Sequence, residues 1–151
     1  MIHLDAEVAP FLTSLSFTDD RPLFVTTIAV GNGPQGVVAA HGGVWIAYGD
    51  DGVARIDPAT NRIVAKIQVG RDPVGIASGS GSVWVANRAD GTVSRIDPET
   101  NRVAATVKVR GNPLNIAAGA GSVWVTNVAA GEVVRIDPGH ESSCRAHSCR
   151  T

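Results

Sequence analysis

The feature that most constrains this 151-residue chain is an internal repeat of about 40 residues. Three segments, 28–58, 67–98 and 107–138, are copies of one unit, and each copy ends in RIDP. The landmark residues recur 39 and then 40 positions apart, and they are Pro34, Pro73 and Pro113 near the start of each copy and Trp45, Trp84 and Trp124 in its middle. A fixed period of this length is typical of architectures in which neighbouring units bury one another's faces.

The first two copies each predict four short antiparallel strands, and the last copy, which stops at Asp137, predicts three. In the second copy, β-forming residues are concentrated at 74–78, 83–87, 92–97 and 102–109. Turn residues separate these runs, among them Gly79, Gly81 and the dipeptide Asp90-Gly91, and the spacing is that of short strands rather than helices. The unit is therefore a predicted four-stranded meander.

An Asp-Pro pair follows the third strand of every copy. The proline presets the backbone for the first position of a turn, and the aspartate carboxylate accepts backbone N–H groups two or three residues further on. In the first two copies an asparagine that tolerates a left-handed conformation completes the turn. We therefore interpret Asp57, Asp97 and Asp137 as turn caps and not as catalytic acids.

The strings VWVANRADGTVSRIDPETNRV and NPLNIAAGAGSVWVTN resemble the YVTN-repeat β-propellers, the group that includes streptogramin B lyase and its relatives. The resemblance covers residues 25–138, in three copies that share one register. It implies that the strand containing PVGIA lines the central channel. It also implies that the next two strands follow outward and that the strand at 102–109 forms the outer edge.

The predicted fold is all-β, a partial β-propeller of about three four-stranded antiparallel blades with about 12 strands. The count includes a leading edge strand at 24–30. We divide the chain into an irregular amino-terminal extension (1–23), YVTN-type blades (24–138) and a non-repeat tail (139–151). Closed propellers have about four to eight blades. The sequence therefore predicts either a truncated propeller or a homodimer that closes a six-bladed ring by donating the edge strand in trans.

Composition restricts the partners. With 13 Lys+Arg and 14 Asp+Glu the formal net charge is −1, so neither nucleic acid nor an anionic membrane is an expected partner. A hydrophobic content of 44% and a charged content of 18% predict a soluble folded chain. The amino terminus shows no signal peptide, which indicates a cytoplasmic protein as the chain is written, although relatives of the YVTN group are often exported. The localisation stays open.

The predicted function is a non-catalytic propeller module that binds a protein or a small-molecule ligand, with no cofactor. The alternative is a streptogramin lyase-like enzyme fragment with an incomplete active site, because no residue can be matched to that lyase's catalytic machinery. Binding is expected in the loops that connect one blade to the next near the channel mouth. The candidate residues are Asn32, Pro34, Arg71, Asp72, Asn112 and Asn115.

The remaining repeated residues are expected to stabilise the fold and not to bind a ligand. The tryptophans are expected in the core between blades. Asn87 and Asn127 are expected to bind loop backbone, and the recurring Arg55, Arg95 and Arg135 to form local ion pairs. His41 is the one histidine inside a repeat, in a turn. The tail has His140, Cys144, His147 and Cys149 at a spacing that matches no common structural-zinc framework, so no metal site is predicted.

Overall fold

The computed structural model describes residues 23–49 and 51–139. The predicted amino-terminal extension, apart from Leu23, and the predicted tail, apart from Gly139, lie outside the described residues, and so do the four histidines and cysteines of the tail.

The described residues form three antiparallel sheets, in each of which the strands follow one another in chain order. Blade 1 contains β1 (Pro34–Ala40), β2 (Gly43–Tyr48), β3 (Gly52–Asp57) and β4 (Arg62–Gln68); blade 2 contains β5 (Pro73–Gly79), β6 (Ser82–Asn87), β7 (Thr92–Asp97) and β8 (Arg102–Lys108); blade 3 contains β9 (Pro113–Gly119), β10 (Ser122–Asn127) and β11 (Glu132–Ile136). No helix occurs in this part of the chain. The prediction of an all-β partial propeller with three blades is confirmed.

The predicted leading strand at 24–30 is wrong for the single chain. These residues pair with no strand, and Phe24 and Val25 are 89% and 90% exposed. A strand exists only where a neighbouring backbone accepts and donates its hydrogen bonds, and no described strand lies beside this segment. The described residues therefore hold eleven strands instead of about twelve. They also contain no helix that is long and apolar enough to span a bilayer.

Consecutive blades pack face to face. We call the sheet side that bears Trp45, Trp84 or Trp124 the forward face of its blade, and the opposite side the rear face. The forward face of blade 1 packs on the rear face of blade 2, and blade 2 packs on blade 3 in the same way. Trp45 and Trp84 are fully buried in these two layers, which confirms the expected core role. Trp124 is 36% exposed because no described blade covers it.

Each tryptophan carries an arginine over its ring. The guanidinium carbons of Arg55, Arg95 and Arg135 lie 4.7, 5.5 and 5.4 Å from the ring centroids. Arg55 also donates from Nη1 to the carbonyl of Pro98, at 2.7 Å, and to Oδ1 of Asn101, at 2.8 Å, and thereby links blade 1 to blade 2. The predicted local ion pair is wrong for Arg55, because its guanidinium stacks on the indole of Trp45 and donates to acceptors of the turn in blade 2 instead.

The Asp-Pro turns form as expected. Oδ1 of Asp57 accepts the backbone N–H of Ala59 at 2.9 Å, and Oδ1 of Asp97 accepts that of Glu99 at 2.9 Å. Oδ1 of Asp137 accepts the N–H of Gly139 at 3.0 Å. The interpretation of these aspartates as turn caps is confirmed, since the carboxylates are occupied by the backbone that follows them.

The first strands of the three blades lie side by side, β1 against β5 and β5 against β9, in the innermost position. Glycine permits this approach. A Cβ on Gly36 would lie 2.6 Å from the carbonyl oxygen of Val74, and a Cβ on Gly75 would collide with that of Leu114. The resemblance implied this placement for the PVGIA strand, and the structure agrees with it.

The equivalent residues Gly79 and Gly119 provide a matched test of blade packing. A methyl group on Gly79 would collide with Cβ of Ala118 in the next blade, whereas one on Gly119 meets nothing within 4 Å. We expect Gly79→Ala to lower the free energy of unfolding by about 1–3 kcal/mol through overpacking. In the monomer, Gly119→Ala should be neutral or slightly stabilising, since it only restricts the unfolded chain. Denaturant titration measures both free energies, and equal effects would contradict the contact between Gly79 and Ala118.

Candidate functional site

The connectors that enter the three blades lie at one end of the innermost strands. They comprise residues 31–33, 69–72 and 109–112, and lead into β1, β5 and β9. Because these strands pack side by side, the connectors form one surface, which we call the connector face. Of the predicted site residues, Asn32, Arg71, Asp72 and Asn112 lie in connectors and Pro34 begins β1. Asn115 lies inside β9 instead.

Backbone hydrogen bonds fix the connectors to the turns between the second and third strands. In each blade this turn donates to the connector that enters the blade: Gly49 N–H to Asn32 O at 2.8 Å, Arg88 N–H to Asp72 O at 2.9 Å and Val128 N–H to Asn112 O at 3.1 Å. These bonds satisfy loop groups that would otherwise depend on water. The loops of the connector face are therefore held in one conformation by their own blades.

Two of the connectors, 69–72 and 109–112, are also tied to the blade that they leave. Val69 N–H donates to Asp51 O and Val109 N–H donates to Gly91 O, both at 2.9 Å. Each of these two connectors is thus bonded to the turn of one blade at its start and to the turn of the next blade at its end. Asp72 has a φ of 56°, a conformation that non-glycine residues adopt only where the surroundings determine it.

Two ion pairs add to this framework in blade 2. Nε of Arg71 lies 2.9 Å from Oδ1 of Asp90, and Nε of Arg88 lies 2.6 Å from Oδ2 of Asp72. Oδ2 of Asp90 also accepts the backbone N–H of Arg71 at 2.8 Å. The side-chain hydrogen bond from Arg71, followed by its backbone hydrogen bond, holds the pKa of the Asp90 carboxyl below its ordinary value. The same side-chain contact raises the pKa of Arg71.

The residue that ends the second strand differs among the blades. Oδ1 of Asn127 accepts the N–H of Asn112 at 3.0 Å and Nδ2 donates to Arg110 O at 3.2 Å, so the prediction of a loop-binding role is confirmed there. Asn87 instead donates to the hydroxyls of Thr92 and Ser94, which makes the same prediction wrong for blade 2. The signal for this difference is the presence of hydroxyl side chains on β7.

A second polar region, which sequence reasoning missed, lies at the opposite end of the blades. A cavity of about 650 Å³ is lined by His41, Arg55, Gly81, Asp97, Pro98 and Glu99 at the junction of blades 1 and 2. Nε2 of His41 lies 3.1 Å from Oγ of Ser78. His41 departs from the repeat, because Ser80 and Ala120 occupy its position in the other copies. That departure is visible in the sequence, but the contact with Ser78 depends on how two blades pack.

Within residues 23–49 and 51–139, no three His, Cys, Asp or Glu side chains come together in an arrangement that could hold a metal ion.

Comparison with known proteins shows the fold. No protein-family model matches the chain, and no curated protein matches its sequence. Among solved structures, hydrazine synthase of Kuenenia stuttgartiensis is similar at a TM-score of 0.70 and 18% identity, over 80% of this chain and 37% of that one. Apo AztD of Citrobacter koseri is similar at a TM-score of 0.62 and 18% identity, over 83% of this chain and 37% of that one.

A third similar structure is the Cps50 (Swd1) β-propeller domain of Myceliophteria thermophila, at a TM-score of 0.60 and 11% identity, over 74% of this chain and 40% of that one. The chain thus spans about two fifths of the length of these three structures. At such low identity the likeness defines the class of protein by its fold: the chain is a partial β-propeller.

The Arg71–Asp90 pair yields a prediction about pH. Because the folded-state pKa of Asp90 is lowered, its contribution to stability is present above the ordinary carboxyl pKa and is lost as the pH falls through the folded-state value. We expect Arg71→Ala to move the pKa of Asp90 upward toward its ordinary value. A ¹³C carboxyl NMR titration measures this shift. Arg88→Ala is the control, since Arg88 pairs with Asp72, and an unchanged Asp90 titration in Arg71→Ala would refute the assignment.

Proposed function

We propose that this chain is a non-catalytic β-propeller module that binds a protein or a small-molecule ligand through its connector face. The observation that supports this most is the network of backbone hydrogen bonds, which ties all three connectors to the blade that they enter and two of them also to the blade that they leave. A surface whose loops are already ordered loses little conformational entropy when a ligand binds, and this raises affinity for a given set of contacts. Loops held on a rigid scaffold are also where binding residues concentrate.

The side chains on this face suit polar recognition. Arg71, Arg110 and Asn112 are exposed, and their backbones are held by hydrogen bonds to neighbouring turns or side chains. Guanidinium groups donate several hydrogen bonds in a fixed plane, so they recognise carboxylate or carbonyl oxygens of a partner. Arg71 and Asp90 are paired in the free chain, and a ligand carboxylate would compete with Asp90 for the same donors.

The three in-register copies support a further proposal, that the module is of the YVTN-repeat kind. The repeat strings carry this resemblance, and the structural neighbours agree with it at the level of the propeller. The lyase-like alternative stays a prediction, because none of the three structures described above is named as a lyase.

A peptide-display experiment tests the connector face. A phage-displayed peptide library is selected on the immobilised chain, and the selected peptides are then measured on two double variants. Arg71→Ala with Arg110→Ala changes the connector face. Arg62→Ala with Arg102→Ala removes the same charge from the opposite end of the blades, where both arginines follow the Asp-Pro turns. We expect the first variant to weaken binding about tenfold or more, as for the loss of one or two charged hydrogen bonds.

The control variant should bind within about twofold of the unchanged chain, since exposed arginines remote from an interface contribute little. Thermal melts of both variants verify that they fold. Binding that is kept by the connector-face variant and lost by the control variant would overturn the proposal.

A further inference from the structure

Residues 23–30 have the sequence of an outer blade strand. LFVTTIAV at 23–30 aligns without gaps with RIVAKIQV at 62–69 and with RVAATVKV at 102–109. The distance to the following proline is the same in all three, since Pro34, Pro73 and Pro113 each lie eleven positions after the start of the segment. The second and third segments form β4 and β8. The first carries the same pattern but has no sheet to join.

Blade 3 presents the complementary feature. In blades 1 and 2 the third strand pairs with a fourth, β3 with β4 and β7 with β8. In blade 3 the third strand, β11, pairs with β10 on one side, and no described strand pairs with it on the other. An open strand edge with unpaired N–H and C=O groups is a template for another extended segment.

We infer that residues 23–30 of a second copy pair antiparallel with β11 and complete blade 3 as its fourth strand. The inference rests on the fold and is independent of ligand binding at the connector face. Residues 23–30 cannot reach β11 of their own chain, because they precede blade 1 and β11 lies in blade 3, at the other end of the arc. Three blades are too few to close a ring and bring these ends together, since closed rings have about four to eight blades. Reciprocal exchange between two copies gives six blades with two-fold symmetry.

The existing blades fix the register of this pairing. Val53 lies opposite Ile67 and Val93 opposite Val107, so Val133 is assigned to lie opposite Ile28. Ile56 lies opposite Ile63 and Ile96 opposite Val103, which assigns Ile136 to Phe24 by the same rule. Val53 and Val93 are fully buried, whereas Val133 is 64% exposed. Pairing with the second copy would bury Val133 as Val53 and Val93 are already buried.

Pairing also brings the second copy's blade 1 against the forward face of blade 3, because only residues 31–33 separate the segment from β1. Val37 on the rear face of blade 1 is 66% exposed and is available for this contact. Arg135 would then meet the turn at Pro58–Asn61, as Arg55 meets the turn at Pro98–Asn101. The two turns match, since Asn61 and Asn101 have φ values of 57° and 55°.

Asn115 makes the contact between two copies different from the blade contacts within one chain. It occupies the position of Gly36 and Gly75, where a Cβ would collide with the first strand of the next blade. In the assembly its side chain meets the carbonyl of Gln35 in the second copy, so the inner strands stay further apart than within one chain. The dimer is therefore weaker than an internal blade contact, and Asn115→Gly should strengthen it.

Sedimentation velocity from about 1 to 300 μM, a range that brackets micromolar affinity, tests the assembly on the full chain. We expect a reversible equilibrium between 15.6 kDa monomer and dimer. Ile28→Lys should raise the dissociation constant about tenfold or more, since it places an unpaired charge in an apolar contact. Thr27→Lys is the matched control, because the equivalent residue of β4 is the exposed Lys66. Asn115→Gly should lower the dissociation constant.

Disulfide trapping tests the register. In a background with Cys144→Ser and Cys149→Ser, Val133→Cys combined with Ile28→Cys should give a covalent dimer on mild oxidation, because directly opposed residues have adjacent Cβ atoms. Val133→Cys with Thr27→Cys should not, because a slip of one residue places the thiols on opposite sides of the sheet.

Three outcomes would overturn the inference. The first is a monomer at every concentration for both the unchanged chain and Asn115→Gly. The second is a dimer that Ile28→Lys and Thr27→Lys affect equally. The third is equal trapping of both cysteine pairs. Residues 23–30 lie outside the three sheets, so substitutions there leave the blades folded, and circular dichroism verifies this.

Discussion

The packing of one blade's forward face on the next blade's rear face is the contact on which the rest of the structure depends. A single four-stranded meander of this size has two faces that need to be covered, and it is stable only when neighbours cover them. Blade 2 has both faces covered, and its second strand, β6, is buried along its whole length. The aromatic ring, the valines around it and the arginine above it are repeated because each contact between blades needs the same filling.

Much of the fold could be predicted from the sequence, because the repeat applies the same physical requirements three times. The Asp-Pro turns, the strand order and the buried positions of Trp45 and Trp84 follow from local turn chemistry and periodicity. The segment at 24–30 is the part of the fold that local sequence did not predict correctly. Its residues favour a strand, but a strand needs a partner, and the presence of a partner is a property of the assembly rather than of local sequence.

The candidate site was less accessible to prediction. The connectors could be located from Pro34, Pro73 and Pro113, and the structure brings them to one face as expected. The hydrogen bonds that order them join residues 15 to 20 positions apart through backbone atoms, which no side-chain pattern reveals. The contact between His41 and Ser78 is harder still, because it depends on the distance between two blades. The sequence places Asn115 in a loop, but it lies in a strand, at a position where the other copies need glycine.

The turns between the first and second strands show what happens where the fold imposes almost no requirement on a side chain. His41, Ser80 and Ala120 have nearly the same backbone conformation, with φ between 50° and 52°, although their side chains share no chemistry. The glycine that follows each of them has open space around it. A change of side chain at this position leaves the blades intact, so the three copies can differ here at little cost to the fold. A framework of three similar units can in this way present a distinct group, such as the imidazole of His41, in one unit alone.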